Sequence, residues 1–453
     1  MNHKLLYICD EKSLKNLIHY QMLNQLFGKN FLILTTEEIE TKVSKLQNLI
    51  SYSSSWTHKD IKYLTDYLYL QNFFQRRNKP LNIILRTRIV GSYKIRTFKN
   101  LASVLRQIFK FLKIIDWKLA LRSKYLSAEE LIFTLRNKEL ISQGDSKRIF
   151  KILNNLNIES AICISTLRDP RIFDFVDACT ELKIKTYVMP DSWDNISSNP
   201  AIPKDISEIL VWSEQQKKEI QKNHKYFTGR VTIFGSYRIS KGLDLFNEVQ
   251  YKKLDNNISR LKILYLEGYI YEIFEENLRI MVKALLKVAL KTANLKDIEI
   301  IVRRYPGPKQ SEGKNRQRYF DMFAEEGIKF LISESTEKYV VNDLPGVDLV
   351  ISDCTTAALE CLACGYTVIF IGSSHSPRYL DTMKIYDFSF SKDLKKFFPI
   401  INLSKSCAEQ RLFNEIYHLI CNTKEIEPYS NYLFDFNSPI KYFAIPISNM
   451  HLD

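Results

Sequence analysis

No window of this chain approaches the ~20 consecutive apolar residues that a helix needs to cross a bilayer, so no membrane-spanning segment is expected. The first residues carry a short apolar run that closes on Asp10, which reads as a first strand and not as a secretion signal. Low-complexity tracts and internal repeats are also lacking. The eight cysteines have no framework spacing, and Cys163, Cys179 and Cys361 sit inside apolar runs, as reduced buried thiols do. This predicts a reducing compartment, the cytoplasm. Cys361 and Cys364 form one CxxC, but no second pair or histidine cluster accompanies them, so helix packing outweighs a metal or redox role. No Asp-x-Asp pair closes a strand, and no metal ligand or bound cofactor is assigned.

What is present is the composition of a folded protein: 453 residues, 45% hydrophobic and 26% charged, enough for two ordinary cores. Lysine and arginine (65) exceed aspartate and glutamate (51), a formal charge of +14. Such an excess favours an anionic partner, although a Lys/Ile/Asn-rich proteome bias explains it equally well.

The most informative stretch runs from Val347 to Ile371. Val347–Ile351 is a short apolar run, Ser352 to Thr356 supplies hydroxyls at a helix start, and Gly365 ends that helix before a second apolar run. This is a βαβ unit whose helix N-terminus leaves the carboxyl edge of a strand, where phosphate groups settle. Similar alternation fills the chain. Strands are predicted at Lys4–Cys9, Asn30–Leu34, Leu81–Leu85, Ser160–Ser165 and Lys185–Met189, then at Glu208–Trp212, Val231–Phe234, Leu261–Leu266, Asp297–Val302, Lys329–Ile332, Val347–Ile351 and Thr367–Ile371. Helical patterns include Asp169–Leu182, Glu272–Thr292 and Cys407–Cys421.

Strands alternating with helices predict an α/β chain with two Rossmann-like parallel sheets facing each other across a cleft. Three prolines between Pro190 and Pro203 break any continuous element. The expected division is therefore residues 1–203 as a first domain, 204–403 as a second, and 404–453 as a helix and tail packing back on the first.

The order Trp212-Ser213-Glu214, Gly235-Ser236, Gly268, Arg303-Arg304-Tyr305-Pro306-Gly307 and Ser352 to Glu360 with Gly365 resembles the GT-B glycosyltransferases. More narrowly it resembles bacterial surface-carbohydrate (capsule and lipopolysaccharide) biosynthesis proteins, relatives of CDP-glycerol glycerophosphotransferases, polysialyltransferases and UDP-N-acetylglucosamine 2-epimerases. The segment Ser192-Trp193-Asp194-Asn195 is similar to one that precedes the Trp-Ser-Glu strand in that group. The likeness covers roughly residues 160–375. It implies a metal-independent transferase with a nucleotide-sugar as co-substrate and a glycan or lipid-linked acceptor. One departure is clear: relatives carry His-Pro where this chain has Tyr305-Pro306, so Arg303 and Arg304 become candidates for the charge role.

The residues support that chemistry on their own terms. Ser352, Thr355 and Thr356, with the free N–H groups of their helix, are candidates to hold phosphate oxygens, and N-capping coexists with that role. Glu360 lies one turn beyond Thr356 on the same helix face; the resemblance implies contact with the ribose or base, and a local salt bridge is the alternative. Gly268 allows close backbone approach after its strand, and Arg303 and Arg304 stand at a strand's carboxyl end, suited to an anion. Candidates for the base are Asp191, Asp194 and Asp169, together with Asp10, all after strands; each also fits a helix cap or Asx turn.

Residues 100–125 mix apolar and aromatic side chains with lysine and arginine and almost no acid. Such a helix suits an anionic bilayer surface, and equally a core helix with snorkelling lysines. The expectation is thus a cytoplasmic transferase, peripheral on the inner membrane face. A nonhydrolysing sugar-nucleotide epimerase is the second reading. An inactive GT-B scaffold or a basic nucleic-acid-binding protein is the third, although no nucleic-acid module is recognisable and no nucleic acid partner is expected.

Overall fold

The computed structural model describes residues 3–19, 31–41, 48–76, 116–193, 195–198, 202–224, 226–239, 259–267, 274–292, 295–303, 328–333, 339–353, 355–364, 366–372, 399–403 and 406–421. The chain divides into two compact units, one running to Gly235 and the other beginning at Ser236.

The first unit holds a seven-stranded parallel sheet in the order β3-β2-β1-β4-β5-β6-β7. Its strands are β1 (His3–Tyr7), β2 (Phe31–Thr36), β3 (Leu49–Tyr52), β4 (Ile158–Ser165), β5 (Lys185–Pro190), β6 (Glu208–Val211) and β7 (Arg230–Ile233). These are mostly short apolar runs, and helices cover them, so the strands read as apolar stretches without strict alternation. On one face Tyr7 stacks on Phe175 of the helix Arg171–Glu181, with ring centroids 4.1 Å apart. Its hydroxyl meets that of Tyr52 at 2.9 Å, which satisfies two buried polar ends within the core.

A buried ionic network fastens two loops to two helices of this unit. Asp174, fully buried, accepts from Trp56 Nε1 (2.6 Å), Arg136 Nη2 (2.5 Å) and the Asp145 N–H (2.8 Å). Burial pushes its carboxyl up, against the pull of Arg136. Gly144 beside it has φ +84°, and a Cβ there would stand 2.1 Å from Arg136 Nη2.

The second unit holds a six-stranded parallel sheet, β10-β9-β8-β11-β12-β13. Here β8 is Arg260–Leu266, β9 Asp297–Arg303, β10 Ile328–Ile332, β11 Leu349–Asp353, β12 Val368–Gly372 and β13 Ile400–Asn402. The helices Phe274–Lys291 and Ala408–Cys421 share its core, joined at their surface by Lys287–Glu409 at 2.5 Å.

Three expectations are corrected. The strands at 208 and 230 extend the first sheet, because they pair with β5 and with each other, so the division falls after Gly235 and not at residue 203. The proline-containing segment that suggested a boundary is a connection within one sheet. The helix Ala408–Cys421 belongs to the second core and not to the first; residues beyond 421 lie outside the described ones, as does the strand expected at Leu81–Leu85. Two short strands, β3 and β13, were not expected.

In both sheets the strand order reverses once, between β1 and β4 and between β8 and β11. At such a switch point the loops leaving the carboxyl ends diverge and open a crevice, which is where α/β sheets bind ligands.

Candidate functional site

At the first switch point stands Asp10, between β1 and the helix Glu11–His19. It caps that helix, accepting from Ser13 N (2.8 Å) and Ser13 Oγ (2.9 Å), and it also accepts from the Thr166 N–H (3.2 Å) just after β4. Burial first, and then the charge of Asp191, push its carboxyl up to about 6, although the bonds from Ser13 and Thr166 act the other way. A cap alone needs no such environment. A carboxylate poised near neutrality is suited to taking a proton.

Asp191, immediately after β5, is fully buried, and both its oxygens accept from Asn16 Nδ2, at 3.0 and 2.8 Å. Asn16 carried no signal in the sequence, since its role depends on a strand end 175 residues away. Asp169 is committed elsewhere: Arg171 donates to it from Nε (2.9 Å) and Nη2 (2.5 Å), and Nη2 also reaches the Cys9 carbonyl at 2.7 Å. That buried pair ties the end of β1 to the helix Arg171–Glu181. Asp194 lies outside the described residues.

The two tryptophan motifs meet through one side chain. Gln216 accepts from the Trp212 N–H and donates to the Trp193 carbonyl, each at 2.7 Å, while Ser213 Oγ caps its helix at the Gln216 N–H. Trp212 Nε1 donates to the Pro190 carbonyl at 2.9 Å. Both indoles are buried, so this pair serves as packing that holds the turn carrying Asp191.

At the second switch point the helix Thr356–Ala363 starts directly after β11. Thr355 caps it, with Oγ1 accepting from the Ala358 N–H at 3.4 Å, and the Ser352 and Thr355 hydroxyls lie 3.2 Å apart. Thr356 is half-buried in the first turn. Hydroxyls and helix N–H groups therefore converge where an anion would be stabilised. Glu360, on the same face, is buried and pairs with Arg238 at 3.3 Å. It is neither a solvated residue nor a local pair, because its partner comes from 122 positions away. Burial and the charge of Glu360 push the Tyr339 hydroxyl up, which sets that phenol close to the pair.

Arg303 is buried in an ion pair with Asp343, whose other oxygen accepts from Ser333 Oγ at 2.7 Å. Its charge is thus shared with a carboxylate at the strand ends. Gly268, Arg304 and Tyr305 lie outside the described residues. Burial pushes the thiols of Cys361 and Cys364 up, as expected for packed cysteines of low reactivity. Among the described residues no three His, Cys, Asp or Glu side chains gather as a metal site, and no helix is long and apolar enough to cross a membrane.

No protein-family model and no curated protein sequence matches the chain. Solved structures do. The chain is similar to MurG of Acinetobacter baumannii, with TM-score 0.50 and 11% identity over 98% of this chain and 97% of that one. It is also similar to the UDP-GlcNAc 2-epimerase of Neisseria meningitidis bound to UDP-GlcNAc (TM-score 0.48, 10% identity, 99% and 97% covered). A third is the MnaA–UDP co-structure of S. aureus (0.46, 10%, 99% and 94%). The chain has the GT-B fold, two Rossmann-like parallel-sheet units.

Proposed function

We propose that this protein moves a sugar from a nucleotide-activated donor to a growing surface polysaccharide or lipid-linked glycan. The observation that carries this reading is the second switch point: a capped helix start with Ser352, Thr355 and Thr356, and one turn on the buried Glu360–Arg238 pair. The helix start takes the donor phosphates, and Glu360 takes the ribose hydroxyls, as a carboxylate accepting two O–H bonds does. Arg238 keeps that carboxylate aimed.

Asp10 is the base in this proposal. It accepts the proton of the acceptor hydroxyl as that oxygen bonds to the anomeric carbon and the carbon–phosphate oxygen bond breaks, its electron pair leaving on the nucleotide. Helix N–H groups and hydroxyls take the developing charge, so no divalent metal is required. Thermal shift against CMP-, CDP-, UDP- and GDP-linked sugars, with and without EDTA, is the direct test. One class should raise the melting temperature, and Thr355→Val with Thr356→Val should abolish that rise. No response to any donor would sink the reading.

The described end of the basic segment, residues 116–125, exposes Leu121 (53%) and Tyr125 (72%) beside Lys118 and Arg122. Residues 100–115 lie outside the described ones. This supports a peripheral position on the anionic inner face of a membrane, where lipid-linked acceptors reside. Flotation with anionic but not neutral vesicles checks it. Two carboxylates fastened to one helix, Asp10 through Ser13 and Asp191 through Asn16, favour a second reading, sugar-nucleotide epimerisation by proton exchange. Incubation with UDP-N-acetylhexosamine alone separates the two, since an epimerase needs no acceptor.

A further inference from the structure

Asp10 and Asp191 are fastened around one strand end. Asp10 accepts from Ser13 and from Thr166, while Asp191 accepts from Asn16, on the helix that carries Ser13. The Asp191 N–H donates to the carbonyl of Ser165, the neighbour of Thr166, at 2.9 Å. The two differ in what surrounds them: Asp191 is sealed and gripped at both oxygens by one amide, whereas Asp10 is half-buried.

We propose that Asp191 and Asn16 are positioning residues that make Asp10 the proton acceptor of an unequal carboxylate pair. This rests on the reading of Asp10 as the base. Asn16 grips both oxygens of Asp191 and fixes that carboxylate at the strand ends, where its charge makes Asp10 more basic and then stabilises it once protonated. The proton comes from the acceptor hydroxyl and goes to Asp10. Like charges in one site disfavour each other's ionisation, and burial with the Asp191 charge outweighs the bonds that Asp10 accepts. The position of Asp10 near pH 6, with Asp191 the largest influence after burial, agrees. Two described neighbours at this edge are engaged elsewhere. The Asp169–Arg171 pair is internally neutral, and the Cys9 thiol is pushed well up by its hydrogen bond with Cys163 and by burial.

The test has one arm that needs no substrate. Melting temperatures from pH 4.5 to 8 are compared for the wild type, Asp191→Asn, Asp10→Asn and the double variant. At pH 7.5, removing the Asp191 charge should raise the melting temperature more in the wild-type background than in the Asp10→Asn background, and this difference should vanish at pH 4.5. Asp191→Ser serves the same comparison where Asp191→Asn does not fold. Equal effects in both backgrounds at pH 7.5 overturn the pair. In the second arm, Asp191→Asn should move the acid limb of kcat/KM down by about one pH unit, the scale of a close like-charge effect. Coupling in the melting data with full turnover in Asp10→Asn would leave the pair standing and overturn Asp10 as base.

Discussion

Replacing Asp10 by asparagine should stabilise the protein at neutral pH while removing its activity. In the folded chain this carboxyl titrates near 6, against an ordinary value of 3.8. Its pKa is raised on folding, so the stability it contributes is present in full below pH 3.8 and is lost as pH rises through 6. Two pH units correspond to about 3 kcal/mol at neutral pH. Asparagine has no such charge to desolvate. Its amide can still accept from Ser13 N and donate to Ser13 Oγ, which leaves the Thr166 N–H without its acceptor, at a cost of about 1–2 kcal/mol. The net gain of about 1–2 kcal/mol corresponds to a rise of roughly 2–6 °C in melting temperature for a unit of this size. Scanning fluorimetry between pH 4 and 8 measures it, and the gain should shrink and reverse as the pH falls below 5. Turnover should drop by ~10²–10⁴-fold, the usual worth of a general base. A variant less stable at pH 7.5, or a gain that ignores pH, would refute the reasoning.

Other outcomes follow from the buried pairs. Arg238→Ala takes a charge partner from the buried Glu360, and should cost about 3–5 kcal/mol in urea unfolding, mostly recovered in Arg238→Ala with Glu360→Leu; an unchanged midpoint would show that the pair contributes nothing to stability. Gly144→Ala meets Arg136 Nη2 at 2.1 Å and Asp174 Oδ1 at 2.6 Å and must push that pair apart. With the left-handed backbone added, a loss of about 3–5 kcal/mol is expected in the same measurement. Gln216→Leu strands the Trp212 N–H and the Trp193 carbonyl, costing about 2–4 kcal/mol. Tryptophan emission should shift to the red before global unfolding, and a single cooperative transition for both signals would contradict this.

Much of the fold was legible because parallel strands buried on both faces stand out as apolar runs between helical patterns. Every described strand except β3 and β13 coincides with such a run to within a residue or two. Sheet membership was not legible. Nothing in Glu208–Val211 says which sheet it joins, because that is decided by long-range pairing with Tyr187 and Val188. The edge strands β3 and β13, of four and three residues, are too short to produce a pattern. At the site, Thr355 and Glu360 were visible from their spacing along one helix. Asn16 and Arg238 were not, since each acts on a carboxylate far away in sequence and its own neighbours carry no periodic mark. Asp169 looked as suitable as Asp10, and only the bidentate grip of Arg171 separates them.

The way the first sheet ends bears on how the protein can be cut. A fragment stopped at residue 203 would lose β6 and β7, baring the backbone of Tyr187 and Val188 along β5 and stripping the Trp212 indole from the Pro190 carbonyl. An edge of that kind recruits strands from other molecules, so the fragment should precipitate. A fragment stopped at Gly235 ends instead on β7, four residues long and opened by the exposed Arg230, which is a strand that resists further pairing. Expression trials and crystallisation of the isolated halves therefore belong at Gly235, well beyond the prolines that seem to invite the cut.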